Sequence, residues 1–406
     1  MISIPNNTKM INYLIVLYAL MIPLSLDMLR ATAIIMIIFW IREGDFTKKF
    51  SALKKQPLFI ALFFLIALLL LSLLWTDYEN LRTGVKYITR FWYLLPMFVI
   101  FTSIDKKFIP IALSAFLTGM LISELVSYGI FFEFITIQGL SHKDPSPFMQ
   151  HTLYSVFLAF SAGILLNRIL TSEQIKHKII YTIFFITITA NLFINTGRTG
   201  QVLFLFVLVS VLIGYYKITF KSIVITLSLL LIIPYLAFTF SPNFKARIMQ
   251  TYNNTSNLTY STSIGARLGL SIVAKDIFLE NPIIGVGAGD YLSKKDEMVQ
   301  QRYPDRKKVK ALVHYHNQFV EFAVIAGIFG LSAYIFIFIS LLRTKITDIR
   351  INTIKYILVS SIAIASFSDA MFHLNRPLSL FALFAGLILA QYRYEEQEAT
   401  IVRTVK

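Results

Sequence analysis

The chain has 406 residues, of which 56% are hydrophobic, with 36 Phe, and only 15% are charged. A soluble core cannot bury that much apolar surface, so the bilayer must be the main solvent. The formal net charge of +16 comes without aromatic-basic interleaved motifs for nucleic acid, so it reads as topology and contact with phosphate-bearing lipids. Cysteine is absent, which excludes disulfides and thiolate metal sites.

Met1 to Lys9 leads directly into an apolar run with no small-residue cleavage site, which predicts a retained first span. On a template of about 20 mostly apolar residues, about twelve spans are predicted. They lie near 10–26, 28–42, 57–75, 84–102, 109–132, 149–171, 178–195, 200–216, 219–240, 315–342, 352–372 and 377–392. Asp27 and Arg30 divide the first two, which also fit one re-entrant hairpin. With the N-terminus inside, every inner connection is basic, for example Lys48, Lys49, Lys54 and Lys55, or Arg343, Lys345, Arg350 and Lys355. Outer connections are poor in base, as the positive-inside rule requires, and the C-terminus returns to the cytoplasm.

The expected class is therefore an all-α polytopic membrane protein in three parts. Residues 1–240 carry spans one to nine, 241–314 form a large outer loop, and 315–406 carry the last three spans and a cytoplasmic tail. The loop opens with the polar tract Asn253 to Ser263, read as a flexible linker. Leu268, Ile272, Val273 and Ile277 then recur at helical spacing over 264–280, until Asn281-Pro282 ends the helix. The turn G-V-G-A-G-D, with Gly285, Gly287 and Gly289, has no preceding strand and reads as flexible rather than as a dinucleotide fingerprint. A charged helix follows from Asp290 to about Tyr303.

Fixing the topology sorts the ionisable residues. His142, His151, His314, His316 and His373 map to the outer face, and only His177 does not. Arg198 sits in the outer turn N-T-G-R-T-G, where Gly197 and Gly200 leave room for an anion at the backbone, or where the arginine simply lies among headgroups. Arg267 falls in the first turns of the loop helix, which suits either a phosphate or a solvated face. Arg82, Lys86 and Arg90 recur every four residues, as snorkelling bases or as a cationic gateway for a lipid pyrophosphate. His316-Asn317 opens the tenth span, and Gly327 and Gly330, three apart, permit close packing that would hold its outer end. A fixed imidazole at the water boundary suits a general base. Asp369 and Arg376 close the rim, with the acid orienting a base or pairing with an arginine. His314 and His316 are rival bases, since two residues apart on a helix they would face different ways. No Walker motif, DxD-like pair or His/carboxylate metal spacing is present, which favours metal-independent chemistry.

The string His316-Asn317, nine residues, Gly327-Ile-Phe-Gly330 resembles the signature of the O-antigen ligase family of lipopolysaccharide assembly. N-T-G-R-T-G-Q around Arg198, S-I-G-A-R-L-G-L around Arg267, F-L-E-N-P-I-I-G-V-G-A-G-D-Y, and F-S-D-A-M-F-H-L-N-R-P around Asp369 agree in order. Val202 stands where that family's arginine motif often has Leu. The likeness covers roughly the second half of the chain and the span layout.

The resemblance implies a bacterial inner-membrane glycosyltransferase, active at the periplasmic face, that needs neither metal nor other cofactor. It would move a glycan from undecaprenyl pyrophosphate to a sugar hydroxyl of lipid A-core. It implies His316 as catalytic histidine, Arg198 and Arg267 as binders of the donor pyrophosphate, and Asp369 as a supporting acid. Lys86 and Arg90 are further candidates for the pyrophosphate, and His314 and Arg376 for support. Direct displacement would invert the anomeric centre. Relatives that polymerise O-antigen repeats or glycosylate proteins share the loop architecture and are the alternative reading. A flippase or secondary transporter is disfavoured, because spans 57–75, 200–216 and 219–240 carry no charge at their centres.

Overall fold

A computed structural model describes residues 7–216 and 263–404, together with scattered positions between 219 and 249. The ninth predicted span therefore lies largely, and the linker tract almost wholly, outside the described residues. Among the described residues the fold is helical, with no β-strand. Helices α1 (Asn7–Met21), α2 (Leu26–Glu43), α3 (Phe46–Lys54), α4 (Pro57–Leu71), α5 (Leu81–Thr89) and α6 (Leu95–Ser103) come first. Then follow α7 (Phe108–Phe131), α8 (His151–Thr171), α9 (Ile175–Ile194) and α10 (Arg198–Tyr216). After the break come α11 (Ser263–Glu280), α12 (Tyr291–Arg302), the single turn α13 (Lys307–Lys310), α14 (Gln318–Arg343), α15 (Ile349–Ala365) and α16 (Asn375–Thr404).

Six of the described helices are long and apolar enough to cross a membrane, namely Pro57–Leu74, α7, α8, α9, α10 and α14. Their outward faces carry bare apolar side chains such as Ile60, Phe63, Phe64, Ile183, Ile186 and Phe206. That belt is stable only against lipid, so the protein is a polytopic helical membrane protein. The centre of the bundle is α8 and the first half of α16, where Leu378 and 380–385 are essentially inaccessible. α8 can sit there because Ser155, Ser161, Ala162 and Gly163 present a small surface to its neighbours, including α10 and α15.

Two local departures from hydropathy reading shape the outer end. The span predicted over 84–102 is divided: α5 passes through a 3-10 stretch, Arg90–Leu94, into α6. Pro96 in the first turn of α6 removes a backbone donor there. The first two predicted spans are two helices packed on each other across the turn at 22–25.

The larger departure is in α14. Its helical geometry fails at Ala326 (φ −132°, ψ 20°) and Gly327 (φ +61°, ψ −152°). The G-V-G-A-G-D turn occupies the break. Val286 N–H donates to Val324 O (2.9 Å), Gly287 N–H to Ile325 O (2.9 Å), and Ile328 N–H to Pro282 O (2.8 Å). The same turn reaches the end of α4, with Ala288 N–H donating to Ser72 Oγ (3.0 Å), and Asp290 accepting from Asp77 N–H (2.9 Å) and Asn80 Nδ2 (2.7 Å). Residues 285–290 are buried throughout. The expectation of a flexible turn is thus corrected: these glycines let backbone enter a broken helix and satisfy the carbonyls that the break exposes. Gly327 serves that insertion rather than a helix-helix contact.

A Cβ at Gly327 would fall against the Ile283 carbonyl, far inside van der Waals contact, on a backbone L-residues avoid. Gly327→Ala is expected to cost at least about 2 kcal/mol. Gly44→Ala, on a similar backbone (φ +74°, ψ −142°) but with open space around it, lacks the clash and should cost less, about 1–2 kcal/mol of backbone strain alone. Thermal unfolding of the detergent-solubilised chain checks this, and equal melting temperatures for the two variants would refute it.

Candidate active site

The N-terminal end of α14 begins at Asn317, whose side chain caps the helix by accepting from Val320 N–H (3.1 Å). His314 and His316 therefore lie just before the helix, and His316 takes φ +48°. That left-handed residue folds the two rings together, with centroids 4.0 Å apart and His316 N–H donating to His314 Nδ1 (3.2 Å). The expectation that they face different directions held only for a helix, and the loop overturns it.

Both rings meet Asp369. Its Oδ1 lies 3.3 Å from His316 Nδ1 and 3.6 Å from His314 Nδ1, and Ala370 N–H donates to the same oxygen (2.9 Å). His316 Nδ1 is buried and faces Asp369 Oδ1 at 3.3 Å without ideal hydrogen-bond alignment. Burial pushes the Asp369 carboxyl up, but His316, His314 and the Ala370 amide outweigh it and hold it below the usual carboxylate range. Burial, and then the neighbouring His316, drive His314 down to about 4 against the pull of Asp369 and Glu321. His314 is therefore neutral at pH 7.

Behind this cluster lies a second one that the sequence analysis did not name. Glu321, fully buried one turn into α14, accepts from Tyr87 Oη (2.9 Å) and Tyr315 N–H (3.1 Å). It also pairs with His373 Nδ1 (3.1 Å). Gln318 Oε1 accepts from Phe372 N–H (2.7 Å) and His373 N–H (3.1 Å), and Tyr315 Oη donates to Tyr291 O (2.8 Å). Lys295 extends from α12 to donate to the carbonyls of Lys310 and Leu312. The histidine loop is thus fixed from α5, α12, α14 and the 366–374 connection. The signal for Glu321 was available: a lone acid in an apolar span is a functional-site hypothesis with a partner to be found.

The arginines divide. Arg198 starts α10, and its neighbour Thr199 hydrogen bonds Ser368 (2.9 Å), next to Asp369, so its turn abuts the acid's loop. Gly197 and Gly200 leave no opening for an anion. They receive α8, since a Cβ at either would strike Ser155, and their amides are taken by Asn195 Oδ1 (2.9 Å) and Ser155 Oγ (3.1 Å). Arg90 donates to His373 O (3.4 Å), which places it at the cluster's edge. Arg376 turns away from Asp369 and donates to Phe148 O. Lys86 is exposed on α5, and Arg267 is half-buried on α11. Neither hydrogen bonds or ion-pairs with the histidine cluster among the described residues. α11 packs on α12, α13 and α14 and buries Ala266, Leu270, Val273, Ala274 and Ile277, while Leu268 of the predicted apolar stripe is exposed. Arg306 donates to Gly269 O (3.4 Å). His142 and His151 stand apart, paired with Glu133 and Asp144 (each 3.3 Å).

No metal motif is legible in the spacing, yet folding brings one ligand atom each of His314, His316 and Asp369 within 4.8 Å of one another. Two imidazoles and a carboxylate suit a borderline divalent cation.

Fold and site together define a helical membrane protein with an imidazole-carboxylate centre at one end of the bundle. Comparison with known proteins adds two likenesses. Residues 183–335 match the family model described as O-antigen ligase. The chain is also similar to the O-antigen ligase of Escherichia coli (strain K12), 23% identical over 256 residues, covering 54% of this chain and 61% of that protein. The match thus spans about three-fifths of that relative's length. Both findings support the O-antigen ligase family to which the motifs pointed.

His314 makes stability pH-dependent. Unfolded, it takes a proton near its ordinary value of about 6.5, but folded only near 4. Between these values the unfolded chain binds more protons, so stability is full above about pH 6.5 and falls as pH drops toward 4. The loss is at most about 3 kcal/mol. Melting temperature measured from pH 7 to pH 4 should decline more steeply for the native chain than for His314→Gln, and parallel curves would contradict the assignment.

Proposed function

We propose that the chain is a lipid-pyrophosphate-dependent glycosyltransferase of the O-antigen ligase type, moving a glycan from undecaprenyl pyrophosphate to a sugar hydroxyl of lipid A-core. The observation that carries this is the convergence of His316 on Asp369, at the loop that the Arg198 turn touches. With Nδ1 facing Asp369, Nε2 of His316 is the nitrogen that receives the acceptor hydroxyl's proton as the oxygen attacks the anomeric carbon. Asp369 orients the ring and stabilises the imidazolium. His314 is the poorer base, since a value near 4 leaves little proton affinity, and it supports its neighbour instead.

The leaving pyrophosphate gathers negative charge that needs fixed positive charge nearby. Arg198 and Arg267 supply it in this reading, with Arg90 and Lys86 along the approach from the bilayer and Arg376 bracing the rim. Displacement is direct and inverting, and the proton transfer and charge neutralisation described need no metal. About twelve spans in the bacterial inner membrane, with both termini cytoplasmic and 241–314 as a periplasmic loop, place this chemistry outside the cell membrane, where both lipid-linked substrates would meet it.

The test is lipopolysaccharide banding in a strain that carries His316→Ala or His314→Ala in place of the native chain. Loss of a general base should cut transfer by about 10²–10⁴-fold, leaving core without O-chain for His316→Ala, while His314→Ala retains part of the ladder. A full ladder with His316→Ala would remove the catalytic assignment, and a single repeat on the core would identify a polymerase instead.

A further inference from the structure

We propose that His314, His316 and Asp369 also form an inhibitory site for a divalent cation of borderline softness, Zn²⁺ above all. Zinc bonds to imidazole nitrogen and carboxylate oxygen of about 2.0–2.1 Å set tetrahedral edges of about 3.3–3.4 Å between ligand atoms. Asp369 Oδ1 already stands 3.3 Å from His316 Nδ1 and 3.6 Å from His314 Nδ1. His316 Nδ1 is a buried nitrogen with no aligned hydrogen-bond partner, the atom in this cluster most in need of one. His314 Nδ1 gives up only the His316 amide to bind. Three ligands leave a fourth position for water, and two imidazoles select against Mg²⁺ and Ca²⁺.

The surroundings support the ligands. Ala370 N–H holds the Asp369 carboxylate, and the 5.5 Å contact of His314 with His373 ties the site to buried Glu321. Such outer partners orient ligands and strengthen binding. The Asp369 and Glu321 carboxylates offset Arg90, the cation hydrogen-bonded to the carbonyl of His373.

Inhibition follows from the tautomer. In the free site, His316 has its proton on Nδ1, toward Asp369, and its lone pair on Nε2. A metal on Nδ1 shifts the proton to Nε2, so the nitrogen that accepts the hydroxyl proton is already occupied. No bond to carbon is involved and no proton is lost from the ring. The inhibition rests on the reading of His316 as base, whereas the binding does not.

The experiment uses the full chain in nanodiscs, stripped with a chelator and titrated with Co²⁺, whose visible absorption reports tetrahedral coordination. One equivalent should bind and be displaced by Zn²⁺. Asp369→Asn, which keeps the side chain's shape, and His314→Ala should each weaken uptake by about 10–100-fold or more. The stripped chain should transfer glycan, lose that activity with one equivalent of Zn²⁺, and regain it with chelator. Absent stoichiometric uptake, uptake unchanged in both variants, transfer unaffected by bound Zn²⁺, or transfer that needs the metal would each overturn the proposal. If the stripped chain transfers no glycan at all, the functional reading fails instead, while the cobalt titration still decides whether the metal site exists.

Discussion

The histidine end of the bundle depends on the carboxylate of Glu321. A charge placed at the top of an apolar span is costly unless its oxygens are occupied, and here Tyr87, Tyr315 and His373 occupy them. Those partners come from α5, the loop before α14 and the connection after α15, so one buried acid gathers three segments far apart in the chain. The Tyr315 amide is the consequential one. It lies between His314 and His316, and holding it fixes the left-handed turn that brings both imidazoles to Asp369.

The break in α14 serves the same end from below. A continuous helix has no backbone groups to spare, but at Ala326 and Gly327 the chain opens and accepts residues 282–287 as a plug. That plug continues through Asp290 to the end of α4 and leads into α12, from which Lys295 and Tyr291 reach the histidine loop. Non-helical backbone at such a place is tolerated only when protein satisfies its polar groups, and here each strand of irregular chain answers the other. The site is rigid because two irregular segments share hydrogen bonds, not because either is regular.

Much of this was legible beforehand. Hydropathy located the six described helices of membrane-crossing length to within a few residues, since 20 apolar residues in a row have few other fates, but ran 352–372 seven residues past the end of α15. The motif around His316, Gly327 and Gly330, with those around Arg198, Arg267 and Asp369, carried the resemblance and named two members of the central cluster, His316 and Asp369. Less was legible where an outcome depended on the partner. Gly197 and Gly200 read as room for an anion, but Ser155 of α8 fills that room. The G-V-G-A-G-D turn read as flexible because small residues permit motion, and the same smallness lets them be buried against backbone. Glu321 is legible as a lone acid in an apolar span, but its partners at positions 87, 315 and 373 are joined to it by no local pattern.

The sequence by itself determined that this chain lives in a bilayer, where its apolar runs become helices, and which imidazoles and guanidinium groups are candidates for chemistry at the membrane boundary. Those follow from composition and period, which every residue carries with it. Only the tertiary structure decided that His314 and His316 share one carboxylate, that Arg376 turns to Phe148 instead, and that α14 breaks to admit the loop. Each of those is settled by which backbone or side-chain group happens to satisfy a buried polar atom, and that is a property of distant segments brought together, not of any one of them.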